Sequence, residues 1–252
     1  MSLLITDGLF KRFGGVIALD NVSIRVEPSS ITLLVGPNGS GKSTLINVIS
    51  GFYKPDSGRV FFNNCEVTGW PPHKLYSAGI ARTFQLPAPF AKMTVLENLL
   101  VAAKWSTGES PLTALLHRRR WLKEEAEHVE RAFRILELLS LRHMWDRRAS
   151  ELSGGQLKLL ELGRVLMSSP KLILLDEPLA GINPRLAEAI VKHISSLRDE
   201  LGVAFLIVEH RLDVIADYAD YAYAMFRGRV IEEGTPKQVL KSPQVLKAYL
   251  GG

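Results

Sequence analysis

Cysteine is almost absent from this chain of 252 residues: Cys65 is the only one, which excludes an internal disulfide framework and suits a reducing compartment. Cys65 itself reads as a half-buried strand residue. Long apolar runs are missing too; nothing approaches the roughly 18 uninterrupted residues of a membrane-crossing helix. The opening stretch MSLLITDGLFKRFGG meets Asp7 and Gly8 too early for a secretory signal. Repeats, low-complexity tracts and long linkers are likewise lacking, which excludes solenoids and disordered tails. Charge of neither sign dominates: 31 Lys and Arg stand against 26 Asp and Glu, a net charge of +5. That balance fits contact with phosphates or an anionic surface and does not by itself imply nucleic acid. The apolar fraction of 46% is ordinary for a globular protein, and the length allows a full core of one to two domains.

Three apolar runs organise what is present. Ile31-Thr32-Leu33-Leu34-Val35, Lys171-Leu172-Ile173-Leu174-Leu175 and Val203-Ala204-Phe205-Leu206-Ile207-Val208 are apolar on both faces, as buried strands of a parallel sheet must be. Each ends in polar, reactive residue types. Ligands of open α/β sheets bind beyond the carboxyl ends of the strands, so the three ends are expected to converge on one site. Leu19 to Pro28 and Gly58 to Phe62 alternate apolar and polar, predicting half-exposed antiparallel strands. Ala222–Phe226 and Arg229–Glu232, separated by Arg227-Gly228, predict a hairpin. Thr94 to Arg148 reads as helical. Within it Val129, Ala132, Phe133, Leu136 and Leu139 form a core-facing stripe, with Glu125, Glu127, Arg131 and Arg134 opposite. His117-Arg118-Arg119-Arg120 reads as a solvated face, with a membrane-surface role left open.

The first run leads into Gly36-Pro37-Asn38-Gly39-Ser40-Gly41-Lys42-Ser43, a complete G-x-x-x-x-G-K-S phosphate loop followed by the helix-compatible Thr44–Ile49. Glycines let successive backbone N–H groups point into one concavity, and the helix start adds its positive dipole end. Lys42 would reach the β- and γ-phosphates, and the Ser43 hydroxyl would take a place on Mg²⁺. The second run ends at Asp176-Glu177, where the first acid suits Mg²⁺ and the second can polarise an attacking water. Two acids capping a strand at the surface is the competing explanation. Leu152-Ser153-Gly154-Gly155-Gln156 precedes an apolar-periodic helix containing Leu157, Leu160, Leu162, Val165 and Leu166. Ser153 is a candidate N-cap, and the two glycines expose N–H groups to an anion. Alone, Ser-Gly-Gly could equally be an ordinary turn.

With these motifs in this order, the chain resembles the ATP-binding subunit of ABC transporters over essentially its whole length. The resemblance implies an α/β phosphate-loop fold with a parallel core sheet, an antiparallel β subdomain and a helical subdomain. Its expected division is 1–85 with 149–252 for the first two, and about 86–148 for the helical part. It identifies Gln85, in Ala81-Arg82-Thr83-Phe84-Gln85, as the glutamine that touches Mg²⁺ and faces membrane subunits. It identifies His210 as the histidine contacting the γ-phosphate, and Phe13 as the aromatic that stacks on adenine. ATP and Mg²⁺ are the implied ligands; Phe13, Gly36 to Thr44 and Ser153 to Gln156 are the implied nucleotide contacts. Ala180-Gly181-Ile182-Asn183 departs from the family's common Ser-Ala-Leu-Asp, which leaves the contact made there in doubt.

RTFQLPAPFAKMTVLENLLVA, WSTGESPLTALLHRRRW, AGINP, VEHRLDVI and VLKAYLGG resemble the LivG-type ATPases of branched-chain amino-acid importers. The implied assembly is a head-to-tail dimer with an identical or paralogous ATPase, ATP lying between one phosphate loop and the other chain's LSGGQ. Membrane permeases would bind this pair, a substrate-binding protein would join indirectly, and nucleic acid would have no part. The expected location is peripheral, at the cytoplasmic face of the cell membrane. Two other functions stay open here: transport of urea, amides or lipopolysaccharide, and a soluble ATPase of an assembly system.

Overall fold

A computed structural model of the chain describes residues 1–83, 89–104 and 118–250. They form two compact units, Met1–Gln85 with Lys171–Gly252, and Leu86–Pro170. The first unit begins with β1 (Leu4–Phe13), β2 (Val16–Val22), β3 (Arg25–Val26), β4 (Ile31–Val35), α1 (Lys42–Ile49), β5 (Ser57–Phe62), β6 (Cys65–Glu66), α2 (Pro72–Ala78) and β7 (Ile80–Arg82). The second contains α3 (Val95–Val101), α4 (Arg118–Leu138) and α5 (Gly154–Leu166). The chain then re-enters the first unit with β8 (Leu172–Asp176), α6 (Pro184–Leu201), β9 (Ala204–Val208), α7 (Leu212–Ile215), β10 (Tyr221–Phe226), β11 (Arg229–Gly234), α8 (Pro236–Lys241) and α9 (Pro243–Leu250).

The three apolar runs become neighbours. The larger sheet has the order β11-β10-β4-β9-β8-β7. β10, β4, β9, β8 and β7 run parallel, and β11 closes one edge as the antiparallel arm of the expected hairpin. All five residues of β4, β8 and β9 are buried, which only a strand covered on both faces can tolerate without alternation. The alternating segments form the smaller antiparallel sheet β2-β1-β5-β6, with β3 also paired to β1. One apolar cluster joins Leu4 and Leu9 of β1, Leu45 and Ile46 of α1, and Leu34, Leu174, Leu206 and Met225 of the larger sheet. Cys65 departs from expectation: it lies on the two-residue edge strand β6 and is exposed.

In the second unit, Thr94 caps α3 reciprocally with Glu97, and Leu99, Ala132, Ile135, Leu136, Leu139 and Leu160 build the core. Gly163 lets α5 pack closely, since a Cβ there would sit 3.0 Å from Leu139 Cδ1. This packing carries the unit on to Pro170, past the boundary expected near Arg148. Of the expected apolar positions of α5, Leu160, Leu162 and Leu166 are buried, joined by Leu159 and Gly163, whereas Leu157 and Val165 are half-buried. Arg131 leaves its expected solvent face. It is half-buried and donates to the Leu166 carbonyl (2.9 Å) at the end of α5, an acceptor it shares with the Ser169 N–H (3.1 Å).

Candidate active site

The phosphate loop connects β4 to α1, and two of its glycines are sterically required. Gly36 has φ +148°, and a Cβ there would overlap the Met225 carbonyl oxygen. Gly41 has φ +105°, and its Cβ would overlap the Ala18 carbonyl oxygen. Gly41 caps α1 from the left-handed region with no side-chain bond, so the helix's first N–H groups remain available to an anion. Asn38, Gly39 and Ser43 are exposed, Pro37, Gly41 and Thr44 half-buried, and Ser40 buried. The Lys42 ammonium folds back into the loop, donating to the carbonyls of Gly36 (2.7 Å) and Pro37 (2.9 Å). Burial pushes its pKa down, against the attraction of Glu177 and Asp176. A partly desolvated cation held by neutral carbonyls gains by exchanging them for charged phosphate oxygens.

Asp176 ends β8, next to β9 and one strand away from β4. Its Oδ2 accepts from Arg82 (3.1 Å), at the end of the adjacent β7, while its Oδ1 is buried without a protein partner. Arg82 also donates to Asn47 Oδ1 and to Ser50 Oγ (3.2 Å) on or just after α1. Desolvation raises the Asp176 pKa; the Arg82 charge opposes that shift and Glu177 adds to it. An orphaned carboxylate oxygen beside a phosphate loop suits a hard divalent cation. Among the described residues no cluster of three or more His, Cys, Asp or Glu could hold a metal alone, so such a cation would also need hydroxyl and phosphate ligands.

Glu177 follows with φ +52°, a conformation unusual for a side chain of its size, and its N–H donates to Val208 at the end of β9 (2.8 Å). That turn aims its carboxylate at His210, whose Nε2 lies 3.2 Å from Glu177 Oε1. Glu209, only 2% exposed, completes the link: it accepts from the N–H groups of Leu179 (2.7 Å), His210 (2.7 Å) and Arg211 (3.0 Å). Sequence reasoning assigned no role to Glu209 or Arg82. A charge directly after an all-apolar run was the available signal for Glu209, as for Asp176; the value of Arg82 depends on strand order, which no local pattern encodes.

Phe13, at the tip of the β1–β2 turn, is 43% exposed and meets Tyr53 edge-on at 5.1 Å. Asp56 braces this tip, accepting from Lys11 Nζ (2.8 Å) and the Arg12 N–H (2.7 Å). Ser153 to Gln156 belong to the second unit. There Ser153 caps α5 and Gln156 answers it in a capping box; Gly154 is exposed and Gly155, against expectation, is buried. Asn183 caps α6 by accepting from the Leu186 N–H (2.9 Å). Gln85 and residues 105–117 lie outside the described residues.

A parallel α/β sheet whose adjacent strand ends carry a phosphate loop, an acid pair and a histidine defines a phosphate-loop nucleotide-binding protein. Residues 19–180 match the family described as ABC transporter, and residues 229–252 match the family described as branched-chain amino acid ATP-binding cassette transporter. The chain is 52% identical to the probable branched-chain amino acid transport ATP-binding protein LivG of Methanocaldococcus jannaschii, covering 100% of this chain and 98% of that protein. It is 36% identical to the high-affinity branched-chain amino acid transport ATP-binding protein LivG of Escherichia coli, covering 99% and 98%. Among solved structures it is similar to the ADP conformation of an ATP-binding cassette of an ABC transporter, with a TM-score of 0.87 and 52% identity over the whole of both chains. A nucleotide-free cassette matches with a TM-score of 0.85 and 51% identity, again over both whole chains. The chain belongs to the ABC transporter family as an ATP-hydrolysing, ATP-binding cassette.

Proposed function

We propose that this chain hydrolyses ATP to energise the import of branched-chain amino acids through partner permeases. The observation that carries the catalytic part is the convergence of Lys42, Asp176, Glu177 and His210 at the ends of three adjacent parallel strands. The names of the full-length relatives and the match of residues 229–252 support the solute class. Phe13 stacks on the adenine with the planar-face tolerance of an aromatic. The N–H groups from Gly36 to Thr44 receive the phosphates, and Lys42 neutralises the β and γ oxygens. Asp176 Oδ1 and the Ser43 hydroxyl, with Gln85, would hold Mg²⁺. When bound, that ion supplies charge neutralisation at the transferring phosphoryl group.

Glu177 orients and polarises the attacking water, held in position by its left-handed turn. His210, fixed through Glu209, holds the Glu177 carboxylate and turns to the γ-phosphate when ATP is present. Ser153 to Gln156, at the start of α5, act on the nucleotide of a second ATPase subunit, identical or paralogous, in a head-to-tail dimer. A site divided between two chains ties hydrolysis to closing and opening, because the γ-phosphate favours the closed pair. No described helix is long and apolar enough to cross a membrane. By likeness to the transport relatives, the chain works peripherally, on the cytoplasmic face, through permeases that a substrate-binding protein loads, and without nucleic acid.

The test is Glu177→Gln. It retains the phosphate and metal ligands but removes the general base, so phosphate release should fall by about 10²–10⁴ while ATP binding persists. Near-native release by the purified variant would refute the assignment. Reconstituted with its permeases, the native chain should drive leucine uptake and the variant should not; ATP-driven uptake of urea instead of leucine would refute the solute class.

A further inference from the structure

Among the backbone bonds that hold the phosphate loop, one comes from a side chain at the far end of the sequence. The Gly36 N–H donates to the Tyr249 hydroxyl (2.8 Å), and Tyr249 belongs to the C-terminal helix α9. Gly36 also accepts from the Lys42 ammonium (2.7 Å), so one residue links α9 to the phosphate-binding lysine. The loop has few other restraints. Asn38 and Gly39 are exposed, and the other ties are Gly228 N–H to the Ser40 carbonyl (2.9 Å), Ser40 N–H to the Pro37 carbonyl (3.3 Å), and the Lys42 ammonium to the Pro37 carbonyl (2.9 Å) and Ser40 Oγ (3.4 Å). Gly36 cannot be held by a side chain of its own, because a Cβ would overlap Met225. Tyr249, Phe226 and Arg227 line a cavity of about 330 Å³ against the loop residues Pro37 to Ser40. Val245 and Ala248 are buried, which docks α9 independently of the hydroxyl. Burial of the phenol raises its pKa, keeping it protonated.

We propose that Tyr249 is a positioning residue for nucleotide binding: its hydroxyl holds the Gly36 amide, and through Gly36 sets the first turn of the phosphate loop and the Lys42 ammonium. The segment carrying the narrower family match, residues 229–252, thereby reaches the ATP site without touching the nucleotide. An unpaired amide at this buried position would carry a desolvation cost, and the loop would relax to find water. The proposal rests on the phosphate loop being the ATP site.

The experiment uses the full chain with Tyr249→Phe, which removes one oxygen and keeps the ring. Amide exchange at Gly36, followed by NMR, should accelerate about three- to tenfold, the range expected for one net hydrogen bond. The ATP dissociation constant should rise by about the same factor. Amides of α9 should exchange as in the native chain, showing that the helix stays docked. Leu246→Ala, an exposed position on the same helix, should change neither quantity. Native ATP affinity in Tyr249→Phe would overturn the proposal. Faster exchange in α9 equal to that at Gly36 would also overturn it, since the tyrosine would then only dock the helix. Failure of the native chain to bind ATP would instead refute the nucleotide-site assignment.

Discussion

Asp176 meets two opposed demands: burial disfavours its charge, and a divalent cation would require it. Among the described residues Arg82 is its only ionic partner at hydrogen-bond distance, and desolvation outweighs that attraction, because the net pKa shift is upward. Between the ordinary carboxylate value and the raised folded value, the folded chain keeps a proton that the unfolded chain has released. Stability therefore falls as pH rises through that window, and the full cost persists above the folded pKa. Asp176→Asn keeps an oxygen for Arg82 and deletes the buried charge. Without nucleotide, its thermal midpoint at pH 7 should exceed that of the native chain, and its decline from pH 4 to 7 should be flatter. Magnesium-dependent phosphate release should be lost. A midpoint at or below native at pH 7 would show that the Arg82 pair dominates instead. Lys42, Asp176 and Glu177 were legible in the sequence because each belongs to a recognisable loop or ends a buried run, and His210 was picked out by the family resemblance. Arg82 and Glu209 were not, since their value lies in partners 94 and 30 residues away.

Helix α6 explains the residue that departs from the family pattern. Asn183 has extended backbone geometry, its side chain accepts from Leu186, and Pro184 follows at the first helical position. Asparagine and aspartate cap helices about equally well, so the capping role survives the substitution. Asn183→Ala should destabilise the chain by about 0.5–2 kcal/mol in urea unfolding, whereas Asn183→Asp should cost little. Equal losses for both would mean that the side chain does something besides capping. Helix periodicity located α4 and α5 and most of their buried positions, among them Ala132, Leu136, Leu160, Leu162 and Leu166, but missed Gly163 and the inward turn of Arg131. On α5, Gly163 is buried because α3 and α4 approach there. On α4, Arg131 turns inward to donate to the Leu166 carbonyl at the end of α5. Periodicity reports which residues can share a face; the neighbouring helices decide which face is covered.

At the scale of the whole molecule, the proposed function divides its site between chains, and this can be separated from binding. Lys42→Ala should lose ATP binding and hydrolysis together. Ser153→Arg puts a bulky cation at a narrow helix start and should still bind ATP, yet neither dimerise nor hydrolyse. In a mixture of the two, each mixed pair has one site with both defects and one with neither. Phosphate release should therefore reappear on mixing, below the native rate. Normal hydrolysis by Ser153→Arg alone would mean that the site is not shared.

The order of strands and the contents of their ends follow from the sequence to different degrees. Buried runs, the phosphate loop, the acid pair and the capping serine are local patterns, determined by composition over a few residues, and they specified the fold class and the candidate catalytic groups. The tertiary structure alone decided that β4, β9 and β8 lie side by side, because strand order depends on crossover connections spread over more than a hundred residues. It also decided that Asp176 is held by Arg82, that Glu209 ties His210 to the turn after Glu177, and that Tyr249 reaches Gly36. Each of these is a hydrogen bond to a buried polar group, and which partner satisfies it is settled only when the chain has packed.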